Sequence, residues 1–164
     1  MIAIKDSMVL IHLAKMTLLE TSCDYFGNIC IPEQVKEEVL GENYDSKIIE
    51  NLIKTGKIKV KSIKNKKLIE KANEFNIQRA EAEAVALYWE INADILATDD
   101  NNVRKKRDIL KINIIGTPAI LLKLYREKRI EKKKLEESIR KLKEIGWFSN
   151  TIWDKIKMEI DKNA

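Results

Sequence analysis

Several residue types are scarce in this chain of 164 residues, which has one histidine, two cysteines, five glycines and two prolines. With His12 alone, catalysis by Ser-His-Asp or Cys-His groups would depend on a single residue, and a His-rich metal site is excluded. Cys23 and Cys30 are too few for a disulfide framework. No G-x-x-x-x-G-K-[ST] or G-x-G-x-x-G motif occurs, so a glycine-built phosphate site is not expected. Carboxylates remain as the candidate working groups of an enzyme.

Long apolar segments are also absent. No run approaches the roughly 18 residues needed to cross a membrane. The first ten residues lack the cationic, apolar and small-residue zones of a signal peptide. We therefore expect a cytoplasmic protein whose thiols are reduced.

Charge, by contrast, is abundant and unevenly distributed. Charged side chains make up 35% of the chain, and 31 Lys and Arg against 26 Asp and Glu give a net charge of +5. The net charge is −4 over residues 1–100, +9 over residues 101–145 and zero over residues 146–164. This pattern fits a carboxylate site beside a polyanion-binding surface, but taken alone it favours Lys-rich, solvated helix faces.

Short apolar segments alternate with longer amphipathic ones, and the length suits one domain. The predicted strands cover residues 2–5, 28–31, 58–63, 94–98 and 112–115. Helices are predicted between them, including a basic helix over residues 101–110. This alternation favours an α/β fold with a parallel sheet of about five strands covered on both faces. Two further helices, over residues 132–145 and 151–160, are predicted to extend this domain.

Acidic residues stand where such a sheet would place a functional crevice, just after its strands. Asp6 follows the first strand, and Asp99 and Asp100 follow the fourth. Other acidic residues, on predicted helices, are Glu37, Glu38, Glu81 and Glu83. Taken singly, these side chains also fit helix caps, dipole partners or solvated faces. Together they would repel one another unless a divalent cation neutralised them, and a set of oxygen ligands suits Mg²⁺ or Mn²⁺.

Four segments carry a resemblance to a known family: DSMVLIHLAK, IPEQVKEEVL, AEAEAVALYWE and ILATDDNNVRKKRDILKINIIGT. In this order they resemble the four acidic blocks of PIN-domain ribonucleases, and most of all the prokaryotic VapC-like branch. The resemblance covers about residues 1–125. It implies a PIN-like domain over residues 1–126, and residues 127–164 then form a C-terminal helical extension packed on it.

The resemblance implies a three-layer α/β/α fold and Mg²⁺- or Mn²⁺-dependent hydrolysis of single-stranded RNA. It also implies a toxin of a toxin–antitoxin pair, with an antitoxin protein as partner and a homodimer as assembly. A catalytically inactive module that binds RNA or a protein is the alternative. The catalytic residues it implies are Asp6, Glu38 (with Glu37 as the alternative), Glu81, Asp99 and Asp100. The metal ligands among them are Asp6, Glu81, Asp99 and Asp100, where Asp100 fits a Thr-x-Asp register and Asp99 an Asp-Asp register. Ser7 and Glu83 are supporting residues.

The basic helix after the acidic pair supplies the RNA-binding candidates Arg104, Lys105 and Arg107, and a solvated helix face is the alternative. Two positions depart from the family pattern: Ala80 replaces a glycine, and Val103 replaces an alanine. His12 is interpreted as a partly exposed or hydrogen-bonded helix residue, and direct participation in the site is the alternative. The aromatic residues of the tail, Trp147, Phe148 and Trp153, are expected to pack on the body of the domain.

Overall fold

Five short strands form one sheet in the computed structural model, which describes residues 1–146 and 148–162. The strands are β1 (Ile2–Lys5), β2 (Asn28–Pro32), β3 (Ile58–Lys61), β4 (Ile95–Ala97) and β5 (Ile114–Ile115). The helices before β4 are α1 (Ser7–Lys15), α2 (Leu19–Phe26), α3 (Glu33–Val39), α4 (Tyr44–Lys54), α5 (Lys66–Glu74) and α6 (Arg79–Glu90). The helices after it are α7 (Asn101–Lys105), α8 (Arg107–Leu110), α9 (Thr117–Arg126), α10 (Lys132–Ile145) and α11 (Asn150–Lys162).

The strands are all parallel and stand in the order β3-β2-β1-β4-β5. In the register of the central strand, Ile4 pairs with Cys30 of β2 and with Leu96 of β4. The backbone N–H of Asp6 also donates to the carbonyl of Ala97, at 2.9 Å. Because β1 and β4 are neighbours, the residues that follow them meet at one edge of the sheet.

Helices cover both faces of this sheet. Successive residues of β1 point to opposite sides, so Ala3 joins one apolar cluster and Ile4 the other. The first cluster draws its helical residues chiefly from α1, α2, α3, α4, α9 and α10, and the second chiefly from α6, with single residues from α5, α7 and α8. The predicted three-layer α/β/α fold is therefore confirmed.

The structure corrects some predicted element bounds. The basic helix predicted over residues 101–110 is two short helices, because α7 ends at Lys105 and α8 begins at Arg107, with Lys106 between them. Lys111 then takes a left-handed conformation, with φ of 57°, which stops α8. The turn after α8 takes up the first residues of the strand predicted over residues 112–115, so the last strand begins only at Ile114.

The C-terminal helices pack on the body through α9 and α1. Helix α10 has the bounds that its sequence predicts, and its Leu135 and Leu142 are fully buried in the first cluster. Helix α11 is longer than predicted and buries Ile156. Trp147 lies outside the described residues. No helix within residues 1–146 and 148–162 has the length and apolarity to span a membrane.

Lys5 is an unusual member of the core, because its side chain is fully buried at the end of the central strand. Its Nζ donates to Ser22 Oγ at 2.9 Å and lies 4.1 Å from the centre of the Phe26 ring. Burial away from water lowers the pKa of this ammonium from 10.5 to about 8. Two buried ionisable residues therefore follow one another here: Lys5 ends β1, and Asp6 comes directly after it.

Candidate functional site

An open cleft of about 830 Å³ lies at the edge of the sheet where β1 and β4 end. Five acidic side chains line it: Asp6, Glu38, Glu81, Asp99 and Asp100. The fold thus brings together residues that are up to 94 positions apart in the sequence. Glu37 and Glu83 are not among the lining residues. Glu83 follows Glu81 by two positions, which turns it away on a helix of 3.6 residues per turn.

Asp6 lies deepest of the five, at 4% exposed. One carboxylate oxygen accepts the backbone N–H of Ser7 at 2.8 Å and so caps α1. The other accepts the hydroxyl of the fully buried Thr98 at 3.1 Å. Burial is the largest cause that raises the pKa of Asp6, the negative charges of Glu81 and Asp100 add to it, and the two hydrogen bonds oppose it; together they place the pKa at about 7.

Glu81 faces Asp6 from the first turn of α6 and is half-buried. Burial raises its pKa, and the charges of Asp100 and Glu38 add to that effect. The preceding Ala80 is fully buried in the core, so the methyl group that replaces the family's glycine is packed without opening the helix. The raised pKa values of Asp6 and Glu81 share two causes, which are burial and the nearby negative charge of Asp100.

Ser7 links α1 to α3. Its hydroxyl donates to Glu38 Oε2 at 2.7 Å, while its backbone N–H serves the cap made by Asp6. Glu38 is otherwise exposed, and this contact fixes its carboxylate at the rim of the cleft. The hydroxyl beside the first aspartate thus orients a second acidic group.

The neighbours Asp99 and Asp100 have different surroundings. Asp99 accepts the backbone N–H of Thr117 at 2.7 Å and its hydroxyl at 2.5 Å, so its carboxylate is tied to the start of α9. Asp100 caps α7 by accepting the N–H of Val103 at 2.9 Å, and its charge adds to burial and to the charge of Glu81 in raising the pKa of Asp6. The Asp6–Glu81–Asp100 group is therefore the electrostatically coupled part of the cleft.

Comparison with known families agrees with this arrangement. A family model described as PIN domain matches residues 2–162. The chain belongs to the PIN-domain family. No curated protein and no solved structure matched the chain. PIN domains are typically nucleases, so a cleft lined by carboxylates is the expected place for their chemistry.

His12 lines the cleft of this PIN domain, although the sequence favours a helix residue with participation in the site only as the alternative. It is 4% exposed, and its Nδ1 lies 3.0 Å from Asp99 Oδ2. Its Nε2 is buried and has no hydrogen-bond partner among residues 1–146 and 148–162. Met8, Ile11 and His12 line the cleft together, and their spacing of three and four residues on α1 was the signal that could have placed them on one face.

The basic residues flank the PIN-domain cleft. Arg104 is half-buried, and its Nη1 lies 3.4 Å from the carbonyl of Thr98. A side chain at Gly116 would collide with this guanidinium, because an added Cβ would lie 2.5 Å from Nη1. Lys105 and Arg107 are exposed, and with Arg104 they line a shallow cavity of about 330 Å³. Asn101 lines both that cavity and the cleft, so the cations border the carboxylates directly.

The donor set of the cleft fits a hard divalent cation. Its carboxylates offer oxygen ligands only, and their mutual repulsion is the charge that such a cation would neutralise. Within residues 1–146 and 148–162, however, no three His, Cys, Asp or Glu side chains are close enough together to hold a metal ion. The chemistry of the donors therefore fits, and a binding geometry would need side-chain movement.

Proposed function

We propose that this PIN domain is an endoribonuclease that depends on Mg²⁺ or Mn²⁺ and hydrolyses single-stranded RNA. The observation that carries the proposal is the convergence of Asp6, Glu81 and Asp100 in one cleft at the end of the sheet. Burial first, and like charge in addition, raise the pKa values of Asp6 and Glu81 there. Proteins keep such repulsion at sites that bind a cation or move a proton. When bound, a divalent cation supplies an activated water and neutralises charge that builds up on the phosphate.

In this proposal Asp6, Glu81 and Asp100 hold the cation, and Glu38 completes the rim. Ser7 keeps the Glu38 carboxylate in place through its hydroxyl. Asp99 is assigned a positioning role, because its carboxylate connects Thr117 at the start of α9 with the ring of His12 on α1.

Arg104, Lys105 and Arg107 are proposed to receive the RNA backbone. A phosphodiester is repelled by the carboxylates of the cleft, and cations at the rim offset that repulsion. Two of them are exposed, so they can reach a strand that crosses the cleft.

The decisive experiment measures cleavage of end-labelled single-stranded RNA with Mn²⁺, with Mg²⁺ and with EDTA. Asp6→Asn, Glu81→Gln and Asp100→Asn should each lower the cleavage rate by at least about 100-fold, since even residues that only orient metal ligands cost 10- to 100-fold. Glu37→Gln and Glu83→Gln are matched controls, because each removes a neighbouring carboxylate outside the cleft. Full activity of Asp6→Asn, or loss of activity in both controls, would contradict the assignment.

A binding module without turnover is the second candidate. It is favoured by the spacing of the carboxylates in the described residues, where no three are placed to hold a metal ion. Calorimetry with Mn²⁺ separates the two functions. Absence of Mn²⁺ binding together with intact RNA affinity would favour the binding module.

A further inference from the structure

A second cavity, of about 420 Å³, adjoins the acidic cleft. We name it the flanking pocket. Asp99, Asn101 and Phe148 line both spaces, so a chain that lies in the cleft can pass directly into this pocket. Its volume lies within the range of small-ligand pockets, roughly 300–1,000 Å³.

The walls of the flanking pocket combine two kinds of surface. Apolar side chains come from α9 and from the C-terminal segment, and they include Leu122, Phe148, Ile152 and Ile156. Helix α11 therefore builds one wall, although the acidic cleft is lined without it. A ligand of this pocket needs an apolar part that can lie against these side chains.

Three cations complete the pocket: Arg104, Lys105 and Lys155. Within residues 1–146 and 148–162 none of them forms an ion pair, although other lysines of the chain do. Lys105 and Lys155 are exposed, so their charges face solvent. The ligand of this pocket should therefore carry negative charge next to its apolar part.

We infer that the flanking pocket holds one nucleotide of single-stranded RNA next to the bond that is cleaved. The base would lie against Phe148 and the aliphatic wall, and its phosphate would lie near Arg104, Lys105 and Lys155. This inference rests on the proposed function, because it names a subsite for the same substrate. A nucleotide can contact both walls at once, with its base on the apolar side chains and its phosphate near the cations. A free phosphate would contact only the cations.

The test measures binding of a fluorescein-labelled single-stranded RNA to the full chain in EDTA, by anisotropy. Ala119→Trp places a large side chain in the pocket, since Ala119 is exposed and lines it. This variant should weaken binding by about 5- to 150-fold, the equivalent of one lost base-stacking contact. Lys155→Glu should weaken binding and reduce its salt dependence, because a phosphate contact is lost.

Lys157→Glu is the matched control, because Lys157 is exposed on the same helix and lies outside the pocket. It makes the same change of charge and should alter the affinity by no more than about twofold, since it acts only through screened, distant charge. Lys155→Glu changes only an exposed side chain, so the test stands even where Ala119→Trp fails to fold.

Cleavage assays with Mn²⁺ separate this inference from the proposed function. If the wild type cleaves RNA, and Ala119→Trp and Lys155→Glu have the same RNA affinity and KM as the Lys157→Glu control, the role of the flanking pocket is overturned and the proposed function stands. RNA binding that both variants weaken, without any cleavage, would support the pocket and overturn the nuclease. Failure of the wild type to bind RNA would overturn the inference together with the proposed RNA substrate.

Discussion

Replacing Asp6 by Asn should stabilise the metal-free protein at pH 8. The unfolded chain loses the proton of this carboxyl near pH 3.8, whereas the folded chain keeps it to about pH 7. Between these values the unfolded state binds fewer protons, so the stability of the wild type falls as the pH rises. An amide has no proton to lose in this range, so Asp6→Asn does not lose stability as the pH rises.

The size of the effect follows from the burial of Asp6. Moving its pKa from 3.8 to about 7 corresponds to about 4 kcal/mol, at 1.36 kcal/mol per pH unit. Asn can still cap α1 through its oxygen, but its NH₂ group must replace the oxygen that accepts the hydroxyl of Thr98. That rearrangement costs about 1 kcal/mol. The net gain at pH 8 is therefore about 3 kcal/mol, and at pH 4 the variant should be slightly less stable than the wild type.

Urea denaturation followed by tryptophan fluorescence, with EDTA at pH 4, 6 and 8, measures this difference. The pH dependence is the informative quantity, because loss of packing or of a hydrogen bond would shift stability equally at each pH. Mn²⁺ at pH 8 should stabilise the wild type more than the variant, since a bound ligand stabilises the state that binds it. A difference that does not change with pH, or a variant that is less stable at pH 8, would refute the reasoning. Glu37→Gln is the control and should change stability by no more than about 0.5 kcal/mol.

Two other predictions concern Lys5 and Thr117. Burial lowers the pKa of Lys5 to about 8, so the folded wild type holds an unfavourable buried charge at pH 7 that is lost by pH 11. Lys5→Met has no such charge. Its free energy of unfolding relative to the wild type should therefore be about 3 kcal/mol higher at pH 7 than at pH 11. Urea denaturation at the two pH values checks this, and an equal difference at both would contradict it. Thr117→Val removes the hydroxyl bonded to the buried Asp99 and should cost about 1–3 kcal/mol of stability. It should also lower the RNA cleavage rate, whereas Thr117→Ser should retain both, and a Val variant equal to Ser would count against the positioning role.

Local sequence signals account for the part of the fold that was predicted. Ile2–Lys5 is a short apolar segment that ends at an acid, and this pattern places Asp6 at a strand end without knowledge of its neighbours. The grouping of Asp6 with Asp100 followed from a general property of parallel sheets, whose carboxyl ends share one edge. The tail helix Lys132–Ile145 was predicted with its exact bounds, because its apolar spacing continues to a glycine.

Contacts between distant elements account for what the sequence left open. Asp99 and Asp100 both follow β4, and only the position of Thr117 at the start of α9 distinguishes them. The sequence cannot decide whether His12 takes part in the site, because its contact with Asp99 depends on the packing of α1 against the strand ends. The break at Lys106 also depends on tertiary structure, since residues 101–110 have no proline or glycine to end a helix there.

Because Lys5 ends β1 and Asp6 follows it directly, folding of this segment takes up and releases protons. At neutral pH the folding chain takes up protons at Asp6, whose pKa rises to about 7, and releases them at Lys5, whose pKa falls to about 8. The two fluxes are equal near pH 7.5, where the contribution of this pair to stability passes through a minimum. Below this pH, net proton uptake on folding makes the folded state more stable as the pH falls. Above it, net proton release makes the folded state more stable as the pH rises. In the metal-free protein, this pair is thus least favourable to folding close to neutral pH, and a cation that binds ionised Asp6 would offset part of that cost.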